Sequence, residues 1–203
     1  MPTVEFHFDF GSPNAYLAHR VIPEIEKRSG ASFAYVPVLL GGVFKLTGNV
    51  SPMESLKGIR NKPEYGQLEM KRFVENHRIN RFRWNEHFPV NTVLIMRGAL
   101  VAERDGRLGD YVEAVFRAMW ENSKKMDDPE VVAAELDAAG FDGKAVIEGT
   151  QDPAIKQKLM DNTTSSVERG NFGSPTFFVG EEMFFGKDKL RDVEDEIARQ
   201  KAA

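Results

Sequence analysis

Ser12, in the stretch Phe8–Asp9–Phe10–Gly11–Ser12–Pro13–Asn14–Ala15–Tyr16, is the residue of this chain with the clearest chemical opportunity. A serine that caps a helix stands where backbone N–H groups and the helix dipole favour negative charge. Such a place binds anions and stabilises thiolates. The same Ser–Pro pair is also an ordinary helix start, and capping alone would account for it. The chain has no cysteine, which removes disulfides, thiolate zinc sites and any thiol nucleophile of its own. Its four histidines, His7, His19, His77 and His87, show no metal-ligand spacing, so no metal site is expected.

The elements that must hold Ser12 surround it. Val4, Phe6, Phe8 and Phe10 alternate with Glu5, His7 and Asp9, the period of a strand. Tyr16, Leu17, Arg20, Val21 and Ile25 recur at helical spacing over 13–29, and Gly30 is a stop signal. Gly11 frees the turn, and Pro13 suits a first helical position. A second strand around Phe33, Tyr35 and Pro37 runs into 39–42, and a strand–helix–strand start implies a parallel pair. The polar, turn-rich segment 44–52 reads as a loop leaving that strand's C-terminal end, where α/β folds place ligands.

From 54 to 169 the patterns are helical, at 67–79, 91–102, 109–125, 129–139, 142–148 and 152–169. Short strands return at 176–179 and 183–185, before a last amphipathic helix over 190–200. This order predicts an α/β, thioredoxin-like fold with a large all-helical insertion. The thioredoxin-like domain would comprise 1–42 and 168–203, and the helical insertion domain 43–167. In such folds a proline placed as Pro175 is cis and faces the first helix's N-terminus.

The chain has 203 residues, a net charge of −4, 41% apolar and 29% charged residues, a composition expected of a soluble globular protein. No strongly basic block points to nucleic acid. The start MPTVEFHFDF shows no leader pattern, and no stretch is long and apolar enough for a membrane, so a cytoplasmic location is expected.

The opening Phe8–Asp9–Phe10–Gly11–Ser12–Pro13–Asn14–Ala15–Tyr16–Leu17–Ala18 resembles the FDFxSPxxYLA motif of 2-hydroxychromene-2-carboxylate isomerases. These stand with kappa-class glutathione transferases in the disulfide-oxidoreductase-A-like branch of the thioredoxin superfamily. The similarity continues in Gly48–Asn49, His87–Phe88–Pro89–Val90–Asn91–Thr92, Phe172–Gly173–Ser174–Pro175–Thr176 and Phe185–Gly186–Lys187–Asp188.

The resemblance implies a homodimer that binds glutathione and a small aromatic 2-oxo acid or chromene carboxylate. It implies a catalytic Ser12 that stabilises the glutathione thiolate. The Ser174 backbone beside Pro175 would pair with the cysteinyl peptide unit, as an added strand does. Asp188 would meet the γ-glutamyl ammonium, with Gly186 and Lys187 at its carboxylate. Asn49 and Lys62 would reach the tripeptide or the organic substrate. Lys45 would contact the substrate, and Trp84 and Phe88 would wall its pocket. The chain departs from the family at Ser174, where an apolar residue is common, and at Lys187, where Ser or Asn is common.

The implied reaction converts 2-hydroxychromene-2-carboxylate-type compounds to trans-o-hydroxybenzylidenepyruvate-type products in aromatic catabolism. A kappa-type transferase or peroxidase would share the thiolate and differ in the acceptor. A peptide-binding module of thioredoxin fold would use Ser12 only as a cap.

Overall fold

In the computed structural model, which describes residues 3–202, the chain begins with β1 (Thr3–Phe8), α1 (Pro13–Ser29) and β2 (Ser32–Pro37). β2 returns parallel to β1. β3 (Thr176–Val179) pairs antiparallel with the other edge of β1, and β4 (Glu182–Phe185) with β3, giving the order β2-β1-β3-β4. Among the described residues no strand lies between Pro37 and Thr176. That interval holds α2 (Leu40–Thr47), α3 (Pro52–Ser55), α4 (Lys62–Asn76), α5 (Val93–Arg104), α6 (Leu108–Trp120), α7 (Pro129–Ala138), α8 (Gly143–Gly149) and α9 (Pro153–Glu168), and α10 (Leu190–Ala202) closes the chain. The thioredoxin-like fold read from the element order is the fold observed. No helix among the described residues is long and apolar enough to cross a membrane.

β1 is the centre of the core, paired on both sides. Its alternation buries Val4, Phe6 and Phe8 completely on one face. Phe6 stacks on Phe177 of β3 at 5.2 Å and meets Tyr35 of β2 edge-on at 4.9 Å. Phe8 touches Phe10, and both reach Phe116 of α6. One aromatic cluster therefore ties the sheet to the inserted helices, each buried ring contributing about 1.5–3 kcal/mol. The site sits where this rigid strand ends.

Residues 44–52 form only in part the loop that their composition suggests, because α2 takes 44–47 and α3 begins at Pro52, leaving 48–51 as the loop. Its first turn carries Gly41 and Gly42, poor helix formers, and no side chain caps it at Leu39. Tertiary contacts hold it instead. Leu40 N–H donates to Asp9 Oδ2 across 2.7 Å, Leu39 N–H to Thr163 Oγ1 of α9 across 3.0 Å, and Val43 is fully buried. Gly48, at φ 72°, then ends the helix. Two helix limits also move. α4 starts at Lys62, ahead of 67, with Pro63 in its first turn. α6 stops at Trp120, short of 125, and Ser123 turns the chain at φ 53°.

Candidate active site

The turn after β1 presents Ser12 as the N-cap of α1. Ser12 N–H donates to Asp9 O at 3.0 Å, and the residue's extended conformation (φ −92°, ψ 113°) aims its side chain back over the first turn. Its Oγ accepts from Ala15 N–H at 3.2 Å and donates to Ser174 O at 2.9 Å. Pro13 has no N–H to offer, so the cap takes the Ala15 N–H of the same first turn and leaves the helix end electropositive. The side chain is thus both a cap and a directed donor.

Ser174 stands on the loop before β3, and the Ser174–Pro175 peptide is cis, as is Phe88–Pro89. Ser174 Oγ accepts from Asp9 N–H at 3.1 Å. Its own backbone N–H has no partner among the described residues, and the residue is half-buried. Gly186 N–H donates to Pro175 O at 2.9 Å, which brings Gly186, Lys187 and Asp188 against the same loop. Gly186 adopts φ 96°, a conformation that favours glycine. Gly173 is needed for a different reason. A Cβ there would approach the Phe185 ring to 2.6 Å.

Asp9 organises these segments, and the sequence reading assigned it no role. It is 1% exposed, yet each of its polar atoms is used. Oδ1 accepts from Gly11 N–H at 2.8 Å. Oδ2 accepts from Leu40 N–H at 2.7 Å and from Thr92 Oγ1 at 3.1 Å. One carboxyl thus joins the starts of α1, α2 and α5 beneath Ser12. Burial pushes its pKa up, while the bonds from Leu40, Gly11 and Thr92 pull it down. The available signal was an acid directly after an alternating strand, two residues before a glycine.

The other candidates divide by position. Lys187 and Asp188 do not offer two separate charges. Lys187 is buried, with Nζ 2.5 Å from Asp188 Oδ1 and 4.6 Å from the centre of the Phe73 ring of α4. Asn49 Nδ2 donates to Phe172 O at 2.8 Å and so reaches the Ser174 loop. Trp84 and Phe88 form one aromatic cluster with Trp120, at 6.1 and 5.8 Å. Trp120 Nε1 donates to Phe10 O at 2.8 Å, which places that cluster one turn of chain from Ser12. Lys45 on α2 and Lys62 opening α4 are exposed, and no ion pair or hydrogen bond among the described residues ties either to Ser12. No group of three or more His, Asp or Glu able to hold a metal occurs among the described residues.

The DSBA-like thioredoxin domain family matches residues 3–198. The 2-hydroxychromene-2-carboxylate isomerase of Pseudomonas sp. (strain C18) is 30% identical over 197 residues, 96% of this chain and 89% of its own length. The glutathione S-transferase kappa 1 of Caenorhabditis elegans is 26% identical, covering 96% of this chain and 90% of its own. The solved structure of a 2-hydroxychromene-2-carboxylate isomerase superposes with a TM-score of 0.84 at 27% identity, covering 98% of this chain and 95% of that one. Frame, turn and full-length likeness agree: the chain belongs to the DSBA-like thioredoxin domain family, in the branch of the 2-hydroxychromene-2-carboxylate isomerases.

Proposed function

We propose that this isomerase uses glutathione to isomerise a 2-hydroxychromene-2-carboxylate-type compound to the corresponding trans-o-hydroxybenzylidenepyruvate. The observation that carries the reading is the Ser12 hydroxyl, a directed donor at the start of α1 facing the Ser174 peptide at 2.9 Å, in a chain without cysteine. The unpaired Ser174 N–H supports it, because a half-buried peptide edge with a free donor suits an extended peptide ligand. When bound, glutathione supplies a thiolate able to add reversibly to a conjugated enone.

The chain's residues have distinct parts in this reading. Ser12 donates to the sulfur, and the α1 terminus favours the charged form. Ser174 and Pro175 hold the tripeptide backbone, and Asp188 takes its ammonium, with Gly186 and Lys187 beside it. Asn49 and Lys62 line the approach. Trp84 and Phe88 stack the aryl ring, and Lys45 draws the substrate carboxylate, so that the reacting atoms are oriented before bond rotation.

The test is an ultraviolet isomerisation assay on a panel of hydroxybenzylidenepyruvates, with and without glutathione. Turnover that requires glutathione without consuming it supports the reading, and glutathione-independent turnover removes it. The kappa-class relative keeps a transferase reading in view. Product carrying covalently attached glutathione would select that one, and failure to retain the protein on a glutathione resin would leave Ser12 as a cap only.

A further inference from the structure

Behind the Ser174 loop, on the face of β1 opposite Phe6 and Phe8, runs a buried chain of hydrogen bonds that the proposed reaction does not use. His7 is 3% exposed. Its Nδ1 lies 2.8 Å from Ser166 Oγ of α9, and its Nε2 lies 3.0 Å from Glu5 Oε2. Asn171 Nδ2 is 2.7 Å from the same Ser166 oxygen. Asn171 Oδ1 accepts from Gly173 N–H at 2.8 Å and lies 2.8 Å from Thr176 Oγ1, which is also 3.1 Å from Gly173 O. Arg169 Nη1 donates to Glu5 Oε2 at 2.7 Å.

The bonding sets its own direction. Gly173 N–H can only donate, so the Asn171 oxygen must face it and the Asn171 amide nitrogen must face Ser166. Ser166 oxygen therefore accepts from Asn171, and its single hydrogen is free to point at His7 Nδ1. The imidazole then carries its hydrogen on Nε2, aimed at Glu5, whose carboxylate Arg169 holds. Burial, which disfavours the charged ring, selects this neutral tautomer over an imidazolium that would donate to both partners. Glu5, His7 and Ser166 have the composition of a hydrolytic triad, but Ser166 is 1% exposed and no substrate reaches it. The network ends at Gly173, whose next residue takes the Ser12 hydrogen.

We propose that His7 is a positioning residue for the active site: through Ser166 and Asn171 it holds Gly173, and so the adjoining Ser174 carbonyl, opposite Ser12, and only its neutral form does so. This rests on the reading of the Ser12–Ser174 pair as the glutathione site. The groups around His7 are Glu5 on its own strand, Arg169 after α9, Ser166 on α9, Thr176 and Phe178 on β3, and Val36 on β2. Only Glu5 and Arg169 carry charge. Burial holds the imidazole below its ordinary value, Glu5 pulls it up, and Arg169 adds to the lowering. Protonation would put an N–H against Ser166 and displace the serine hydrogen from the relay. The hold is therefore complete above the ordinary histidine value of 6.5 and is lost as pH falls toward the depressed one.

The experiment has two arms on the full chain. In the first, amide NMR without any ligand follows Gly173 N–H and the Asn171 side-chain amide from pH 8 to 5 (about three units of proton activity around the imidazole range). Both signals should titrate with the His7 ring in wild type and stay flat in His7→Gln. In the second, KM for glutathione is measured across the same range. It should rise at low pH in wild type, and His7→Gln should raise it about three- to tenfold at neutral pH while flattening its pH dependence. Ser166→Ala keeps His7 and should give the same rise, which guards against a misfolded His7 variant. Gly173 and Asn171 signals indifferent to His7 overturn the relay whether or not glutathione binds. A wild type that binds no glutathione overturns the functional reading and leaves the first arm to decide the relay.

Discussion

The Ser12 hydroxyl donates to the Ser174 carbonyl oxygen across 2.9 Å, so the donor at the head of α1 is engaged by the peptide that faces it. A thiolate arriving beside Ser12 competes with that carbonyl for a single hydrogen. Rotation of the hydroxyl redirects it at little cost, because the serine oxygen can keep accepting from Ala15 N–H.

Ser12→Ala should therefore separate activity from stability. The lost cap costs about 1 kcal/mol, which a folded domain survives. A lost bond to a charged sulfur costs about 1.5–3 kcal/mol, which is roughly one to two orders of magnitude in turnover at neutral pH. Part of the rate should return at higher pH, where the thiol ionises unaided. A pH–rate profile of both proteins at saturating glutathione checks this, and overlapping profiles would reduce Ser12 to a cap.

Asp9→Asn should be among the more costly isosteric changes in this chain. An amide keeps one acceptor oxygen, so its nitrogen must face either Gly11 N–H or the Leu40 and Thr92 donors. Donors left unpaired in a dry site cost about 1–3 kcal/mol each, and for a chain of this size each kcal/mol lowers the melting temperature by roughly 2–4 °C. The destabilisation should also depend on pH. Because the folded-state pKa is raised, wild-type stability falls as pH rises from the ordinary carboxylate value through the raised one, and the variant lacks that fall. Denaturant titrations from acid to neutral pH measure both effects.

The frame of this site was legible because it is written locally. Phe6 and Phe8 alternate, Ser12 and Pro13 mark the helix start, and Gly30 marks its end, all within one stretch of chain. α2 was not legible. Its glycine-rich first turn argues for a loop, and what overrules that signal is Asp9 and Thr163, the latter far away in sequence. Lys187 likewise reads as an exposed cation until Phe73, from another helix, is folded against it. Ser12 and Ser174 could be singled out from residue type and neighbours. That Asp9 connects them needs the tertiary structure, because its partners lie just before α1 and α5, at the start of α2 and on the loop before β3.

Glu113→Gln should weaken the protein at neutral pH and have little effect in strong acid. Glu113 on α6 holds α1 through His19 at 3.0 Å and Arg20 at 3.1 Å. The His19 hydrogen bond, opposed by burial and aided by Arg20, holds its carboxyl down to about 2 from the usual 4.5. The folded value lies below the unfolded one, so the stabilisation is present above 4.5 and is lost as pH falls toward 2. Chemical denaturation of both proteins at several acidic pH values and at neutrality should show the gap closing as acid is added. A gap independent of pH would mean that packing, not charge, is what Gln disturbs.

Trp84→Ala should tell the substrate wall from the glutathione groove. Trp84 is 50% exposed, and its ring meets Phe82, Phe88 and Trp120 edge-on rather than filling the core. Its removal leaves Trp120 in place, bonded to Phe10 O, so the turn that carries Ser12 is not disturbed. Stability should change by no more than about 1 kcal/mol, as for most exposed positions next to a core. Stacking of the substrate aryl ring on such a face is worth about 0.5–1.5 kcal/mol. KM for the aromatic substrate should therefore rise about two- to tenfold, with KM for glutathione and the thiolate limb of the pH–rate profile unchanged. Phe88→Ala should act in the same direction with a larger loss of stability, because Phe88 is half-buried against Trp120. A Trp84→Ala enzyme with an unchanged substrate KM would move the acceptor pocket off this cluster, and the exposed lysines Lys45 and Lys62 would then be the next positions to vary.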